Sequence, residues 1–395
     1  MKQLFLGVFS AAILLSSCNS NDKKAPVQTA DTGVTKSPDS TTADIKQGSD
    51  EAQAPDPNLN GIAKIVAGVT DDQTIFKTIA AYPGFVNYSG GMSKSFDQFE
   101  EKMLNRFRGW SKTELADLQK KAKTVFYPFS GPDIGFAYSL CPDADNYFMF
   151  GLEPVGRVPS ITQTSSEADI ETILKAMEAS VHDNMNYSYF ISKNMKVDFR
   201  QSLVKGTTPV LFFYMANLGL QIVSVDFINI GETGELEKAV SEDSAKGVKI
   251  GFFDPARPSK LRYVHYFGEN IGNNNPGFMG RLDQMCSKMP DMITFVKSSS
   301  YCMHSPVAYK SIRDIVLKYS QALIQDDTGV PFSYLQENSE WQLSLYGKYN
   351  RPISIFSGMF QRKFKEAMET AKPIDFKFGY NTPSNILVAR KSVKN

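Results

Sequence analysis

Only two of the chain's 47 aromatic residues, Phe5 and Phe9, precede Phe76. A packed core needs large apolar side chains, because burying each one contributes only about 1.5–3 kcal/mol against the entropy of ordering the chain. Residues 19 to 60 are rich in Asp, Ser, Thr, Gln, Lys and Pro, cannot meet that requirement, and are expected to form a disordered polar tether. Folding is thereby confined to residues 61 to 395, which carry 45 aromatics. That length suits one large domain, or two intimate halves with a break near 231–247.

The first 18 residues form a unit of their own. Lys2 gives a positive start, Leu4 to Leu15 an apolar run too short to span a bilayer, and Leu15-Ser16-Ser17-Cys18 a small-residue cleavage site. This organisation resembles the lipobox of bacterial lipoproteins. The resemblance implies cleavage before Cys18 and acylation of that cysteine, with palmitate among the candidate chains. It also implies a lipid bilayer as partner and a place in the cell envelope, at the outer membrane if the organism is Gram-negative, since Asn19 and Ser20 follow the cysteine rather than Asp. A tether of this length reaches on the order of 35 Å.

That location bears on chemistry. ATP, NAD and S-adenosylmethionine are cytoplasmic pools, so no cofactor is expected. A net charge of +1 gives no reason to expect nucleic acid. The three cysteines beyond Cys18, namely Cys141, Cys286 and Cys302, have no repeating spacing and are expected as buried thiols, with room for one disulfide.

Along the folded part, apolar spacing changes from helical to strand-like and back. Phe96, Phe99, Met103, Phe107 and Trp110 mark one helical face; Gly109 interrupts it, and Ser111-Lys112-Thr113-Glu114 reads as a capping box opening a second helix. Strands are expected at Thr124 to Phe129 and Tyr147 to Phe150, with helices at Asp133 to Leu140 and Glu167 to Asn184. The runs Met195 to Val204, Val210 to Leu218 and Gln221 to Ile230 suggest an antiparallel β meander. Further strands are expected at Val248 to Phe253, Leu261 to Phe267, Met292 to Val296, Trp341 to Tyr346, Ile374 to Phe378 and Ile386 to Ala389. Helices are expected at Phe278 to Lys288, Val307 to Ile324 and Met359 to Ala371. The fold class is therefore α/β: a mixed, largely buried sheet with helices on both faces, an N-terminal helical pair and a meander insertion.

Candidate site residues follow from where strands end. Tyr127-Pro128-Phe129-Ser130-Gly131-Pro132-Asp133 closes the first strand, at the edge where ligands collect in α/β sheets. Ser130, Gly131, Asp133, Glu153, Asn270, Ser299 and Asp326 are the expected ligand-binding residues, all near predicted strand ends or turns. Asp133, Glu153 and His304 are the candidates for acid–base chemistry. Thr124 to Glu153 loosely resembles the opening unit of nucleotide-binding and methyltransferase folds, yet carries only Gly131 in the first turn, with Pro132 lacking an N–H. No G-x-S-x-G elbow surrounds Ser130, and His182, His265 and His304 lie too far apart to suggest a metal site. The expectation is a ligand- or partner-binding envelope protein, with a hydrolase of envelope or extracellular substrates as the alternative.

Overall fold

Residues 54–71, 75–190 and 206–392 are described by a computed structural model of the chain. Among them lie ten strands: β1 (Thr124–Tyr127), β2 (Asn146–Gly151), β3 (Gln221–Ile230), β4 (Leu236–Lys238), β5 (Gly247–Asp254), β6 (Arg257–Gly268), β7 (Met292–Val296), β8 (Ala322–Gln325), β9 (Trp341–Gly347) and β10 (Asn385–Lys391). They form one sheet in the order β4-β3-β5-β6-β2-β1-β7-β8-β10-β9. The five strands β6-β2-β1-β7-β8 run parallel. Antiparallel pairs extend them on one side through β5, β3 and β4 and on the other through β10 and β9.

The parallel strands are buried on both faces, as such strands must be when helices cover each side. Alternation divides their side chains between two cores. Val125, Tyr127, Tyr147, Met149, Ile293 and Phe295 pack with the helices Pro83–Phe99, Asn105–Glu114, Glu167–Tyr187 and Thr208–Asn217. Phe126, Phe148, Phe150, Met292 and Val296 pack with Pro276–Ser287, Lys310–Tyr319 and Arg362–Ala367 on the opposite face. The chain thus covers one face after β1 and β2 and the other after β6 and β7. β1 and β7, side by side, mark the point where the winding reverses, and in doubly wound sheets that is where a crevice opens.

Several elements differ from the expectation. The run Val210 to Leu218 is a helix, Thr208–Asn217, with Pro209 in its first turn and Val210 through Met215 wholly buried. A segment apolar on every side has no period to separate helix from strand. Gly109 and Ser111 lie inside the helix Asn105–Glu114, and the Ser111 hydroxyl bonds the carbonyls of Arg108 and Ser139 rather than opening a new helix. The helix expected over Val307 to Ile324 stops at Tyr319, because Ser320 turns the chain into β8. Ile374 to Phe378 forms no strand, and Met195 to Val204 lies outside the described residues. Of the three runs expected as a meander only Gln221 to Ile230 is a strand among the described residues; as β3 it pairs antiparallel with β4 and β5, and β5 with β6, extending the main sheet. The helix Pro57–Ala67, capped by the Asp56 carboxylate, begins inside the stretch expected as tether. Cys141, Cys286 and Cys302 are free thiols.

Candidate functional site

At the carboxyl ends of β1, β2, β6 and β7 a cleft of about 410 Å³ opens. Its first wall is the turn after β1. Phe129 and Gly131 both take left-handed backbone conformations, with φ of 61° and 53°. The turn is stitched to the end of β2: the N–H groups of Ser130 and Gly131 both donate to the Phe150 carbonyl, at 2.8 and 3.2 Å. The Ser130 hydroxyl accepts from the Phe150 N–H at 3.0 Å. This contact needs Gly151, where a Cβ would stand 3.1 Å from the Gly131 Cα and 2.4 Å from a Glu153 carboxylate oxygen.

The floor is a buried ion pair. Lys297, the first residue after β7, places its Nζ 2.8 Å from the Asp133 carboxylate, and both side chains are 1–2 % exposed. The Tyr127 hydroxyl donates to the same carboxylate oxygen at 3.0 Å. Lys297 also stands 3.6 Å from the Phe136 ring centre and donates to the Ser188 carbonyl. Burial raises the Asp133 pKa and lowers that of Lys297, while their mutual attraction opposes both shifts. The bond to Ser188 fixes the chain just before Tyr189 and Phe190, two rings of the cleft wall.

The opposite wall is the loop after β7. Ser298, Ser300 and Tyr301 all have φ between 52° and 55°. Each such non-glycine residue costs on the order of 1–3 kcal/mol and persists only where surrounding bonds impose it. Here the bonds are explicit. Asp326 accepts from the Ser298 N–H at 2.9 Å, Thr328 accepts from the Ser299 N–H at 2.8 Å, and the Tyr301 hydroxyl donates to Asp327. Tyr380 completes the clamp by donating to the Ser298 carbonyl at 2.7 Å.

Of the residues expected to bind ligand, Ser130, Gly131, Asp133, Asn270 and Ser299 line this cleft. Glu153 and Asp326 do not. Glu153 is wholly buried behind Gly151, where it receives the Tyr266 hydroxyl at 3.3 Å. Asp326 lies beneath the strained loop, and burial followed by the charge of Asp327 lifts its pKa to about 7. His304 sits against the Tyr301 ring outside the lining, and burial presses its pKa down to about 4. Cys18 lies outside the described residues. Sequence reasoning passed over Lys297, Tyr309, Phe356 and Tyr380. For Lys297 a signal existed: a lysine directly after a five-residue apolar strand needs a buried partner.

The sheet invites a test of the nucleotide or S-adenosylmethionine cofactor that such folds hold, and the residues do not fit one. The N–H groups of Ser130 and Gly131 are spent on Phe150, Pro132 has none, and Glu153 at the end of β2 is walled off. No family model, curated protein or solved structure matches the chain. Fold and site therefore define it as a doubly wound α/β protein with an aromatic-walled crevice at its switch point.

Proposed function

We propose that the chain is a lipid-anchored envelope protein whose strand-end cleft binds a small organic ligand. The observation that carries this reading is the chemistry of the lining. Rings of Tyr127, Phe129, Phe150, Tyr189, Phe190 and Tyr309 dominate it, and its one buried charge pair, Asp133 with Lys297, is neutral as a unit. A mostly apolar cavity with a few convergent polar groups suits a ligand held by shape and stacking. Hydrolysis has less support. The Ser130 hydroxyl is bonded to backbone, Asp133 is neutralised by Lys297, and His304 and Glu153 stand outside the lining.

The test is a thermal-shift screen of compounds and envelope extracts. A ligand at about 100 times its Kd adds about 2.7 kcal/mol of stability. Leu152→Trp, at the rim and half-exposed, should abolish the shift while leaving the unliganded melting temperature within about a degree. If no compound shifts the parent, or the variant responds equally, the cleft is not the binding site.

A further inference from the structure

One segment of the cleft wall exposes what the rest of the molecule hides. After β9 the chain forms an irregular 3-10 turn, Ser354–Met359. Ile353, Ile355 and Phe356 line the cleft from this turn. The turn is held from within: the Phe356 ring stacks on Tyr380, and the Gln361 side chain donates to the Asp327 carbonyl at 2.9 Å and accepts from the Phe332 N–H at 2.8 Å. Outward, however, Ile355 is 76 % exposed, Phe360 47 % and Met359 41 %, and Leu152 on the wall formed after β2 is 52 % exposed. A rigid turn that keeps three neighbouring large apolar side chains in water calls for a partner.

Charge says which kind. From Trp341 to Lys365 the chain contains Lys348, Arg351, Arg362, Lys363 and Lys365 and no Asp or Glu, in a protein whose net charge is +1. Arg362 and Lys363 pair with Glu366 and Glu337, whereas Lys348 and Arg351 are exposed and have no ion pair among the described residues. An aliphatic and aromatic tip with cationic shoulders matches the boundary of an anionic bilayer, where apolar groups enter the acyl region and basic groups stay with the headgroups. We infer that the segment from Lys348 to Lys363 seats the mouth of the cleft on an anionic lipid surface. It is a contact separate from any anchor at Cys18. The cap of the first helix, Asp56, donates its N–H to the Ile222 carbonyl at the start of β3, at the end of the sheet opposite the cleft. The inference rests on the ligand-binding reading in one respect: a ligand reaching this mouth from a bilayer is an amphiphile.

The experiment uses the chain from residue 19 onward, which keeps every strand and both cores and carries no acylated cysteine. Flotation with phosphatidylcholine vesicles, with and without phosphatidylglycerol, reads the contact. Binding should require phosphatidylglycerol and weaken with salt. Ile355→Asp with Met359→Asp should lower it by at least about tenfold without moving the melting temperature, and Lys348→Glu with Arg351→Glu should lower it severalfold. No binding to either vesicle, or undiminished binding of the Asp variant, overturns the inference. So does self-association of the parent chain that the Asp variant loses, because the occupant is then a second copy. The thermal shift by ligand without vesicles reads the cleft alone, so failure of docking and failure of ligand binding are distinguishable.

Discussion

Replacing Lys297 by Met removes the cation from the floor of the cleft and leaves the Asp133 carboxylate buried with two neutral donors, the Tyr127 hydroxyl and the Phe136 N–H. Breaking a buried pair by deleting one partner costs about 3–5 kcal/mol, since the remaining charge is uncompensated. The compact unit Ala52–Asn395 has roughly 340 residues, and at about 2.1 cal/mol/K per residue of unfolding entropy the loss corresponds to about 4–7 °C in melting temperature. The deficit is also pH-dependent. Asp133 already has a raised pKa through burial, and without the lysine it is raised further. A carboxyl whose folded pKa lies above its unfolded value contributes stability below the unfolded pKa of about 3.9 and loses it as pH rises through the folded one. The variant's deficit is therefore smallest near pH 4 and grows by at most about 1.4 kcal/mol per pH unit above it. Adding Asp133→Asn should recover most of the loss, leaving about 1–2 kcal/mol for the Ser188 carbonyl that lost its donor. Differential scanning calorimetry between pH 4 and 8 measures all three proteins. A loss below about 1 kcal/mol, no dependence on pH, or a double variant no better than the single one would refute the reasoning.

Gly151→Ala should destabilise by about 2–4 kcal/mol in urea unfolding, because its Cβ would stand 2.4 Å from Glu153 and 2.6 Å from the Tyr266 hydroxyl. Gly90→Ala, in the helix Pro83–Phe99 with nothing within 4 Å of the added methyl, should instead stabilise by up to about 1 kcal/mol. Asp326, held near pKa 7, contributes stability at low pH that is lost as pH rises from about 4 through 7, so Asp326→Asn should flatten that part of the pH–stability profile. Cys18→Ser should abolish incorporation of labelled palmitate; persistent labelling would remove the lipobox reading.

What could be read from residue order and what could not divide along physical lines. β3 and β7 match their expected spans residue for residue, and β1 and β2 nearly so, because short β-rich apolar runs between turn residues carry their own boundaries. Val210 to Met215 and Ala322 to Ile324 were misassigned for the opposite reason: both are apolar throughout, and only packing from both sides decides their state. In the site, Ser130, Gly131 and Asp133 were legible because a strand-end turn brings neighbours in sequence to one place. Lys297, Tyr380 and Phe356 meet there from distant segments, through pairings that no local pattern records.

The cleft's stability and its availability to a ligand follow from one arrangement. Three left-handed residues in the loop after β7 and two in the turn after β1 are held by Asp326, Thr328, Asp327 and Phe150, so the polar bonds of the site face away from the opening and into the protein. An enzyme's acids and bases must instead have capacity left for substrate protons within about one hydrogen bond or one water. Here the groups that could titrate near neutrality, Asp326 above all, are those spent on holding the loop. What remains facing the opening is chiefly aromatic edge and face, with serine hydroxyls, Asn270 and the single carboxylate of Glu269 between them. Such a surface rewards a ligand for its shape and its burial, so affinity should follow apolar area removed from water, at about 25 cal/mol per Å² at most, rather than ligand charge. A series of homologous ligands differing by single methylenes would show this as a steady gain up to the length at which the chain passes Ile355 and leaves the cleft.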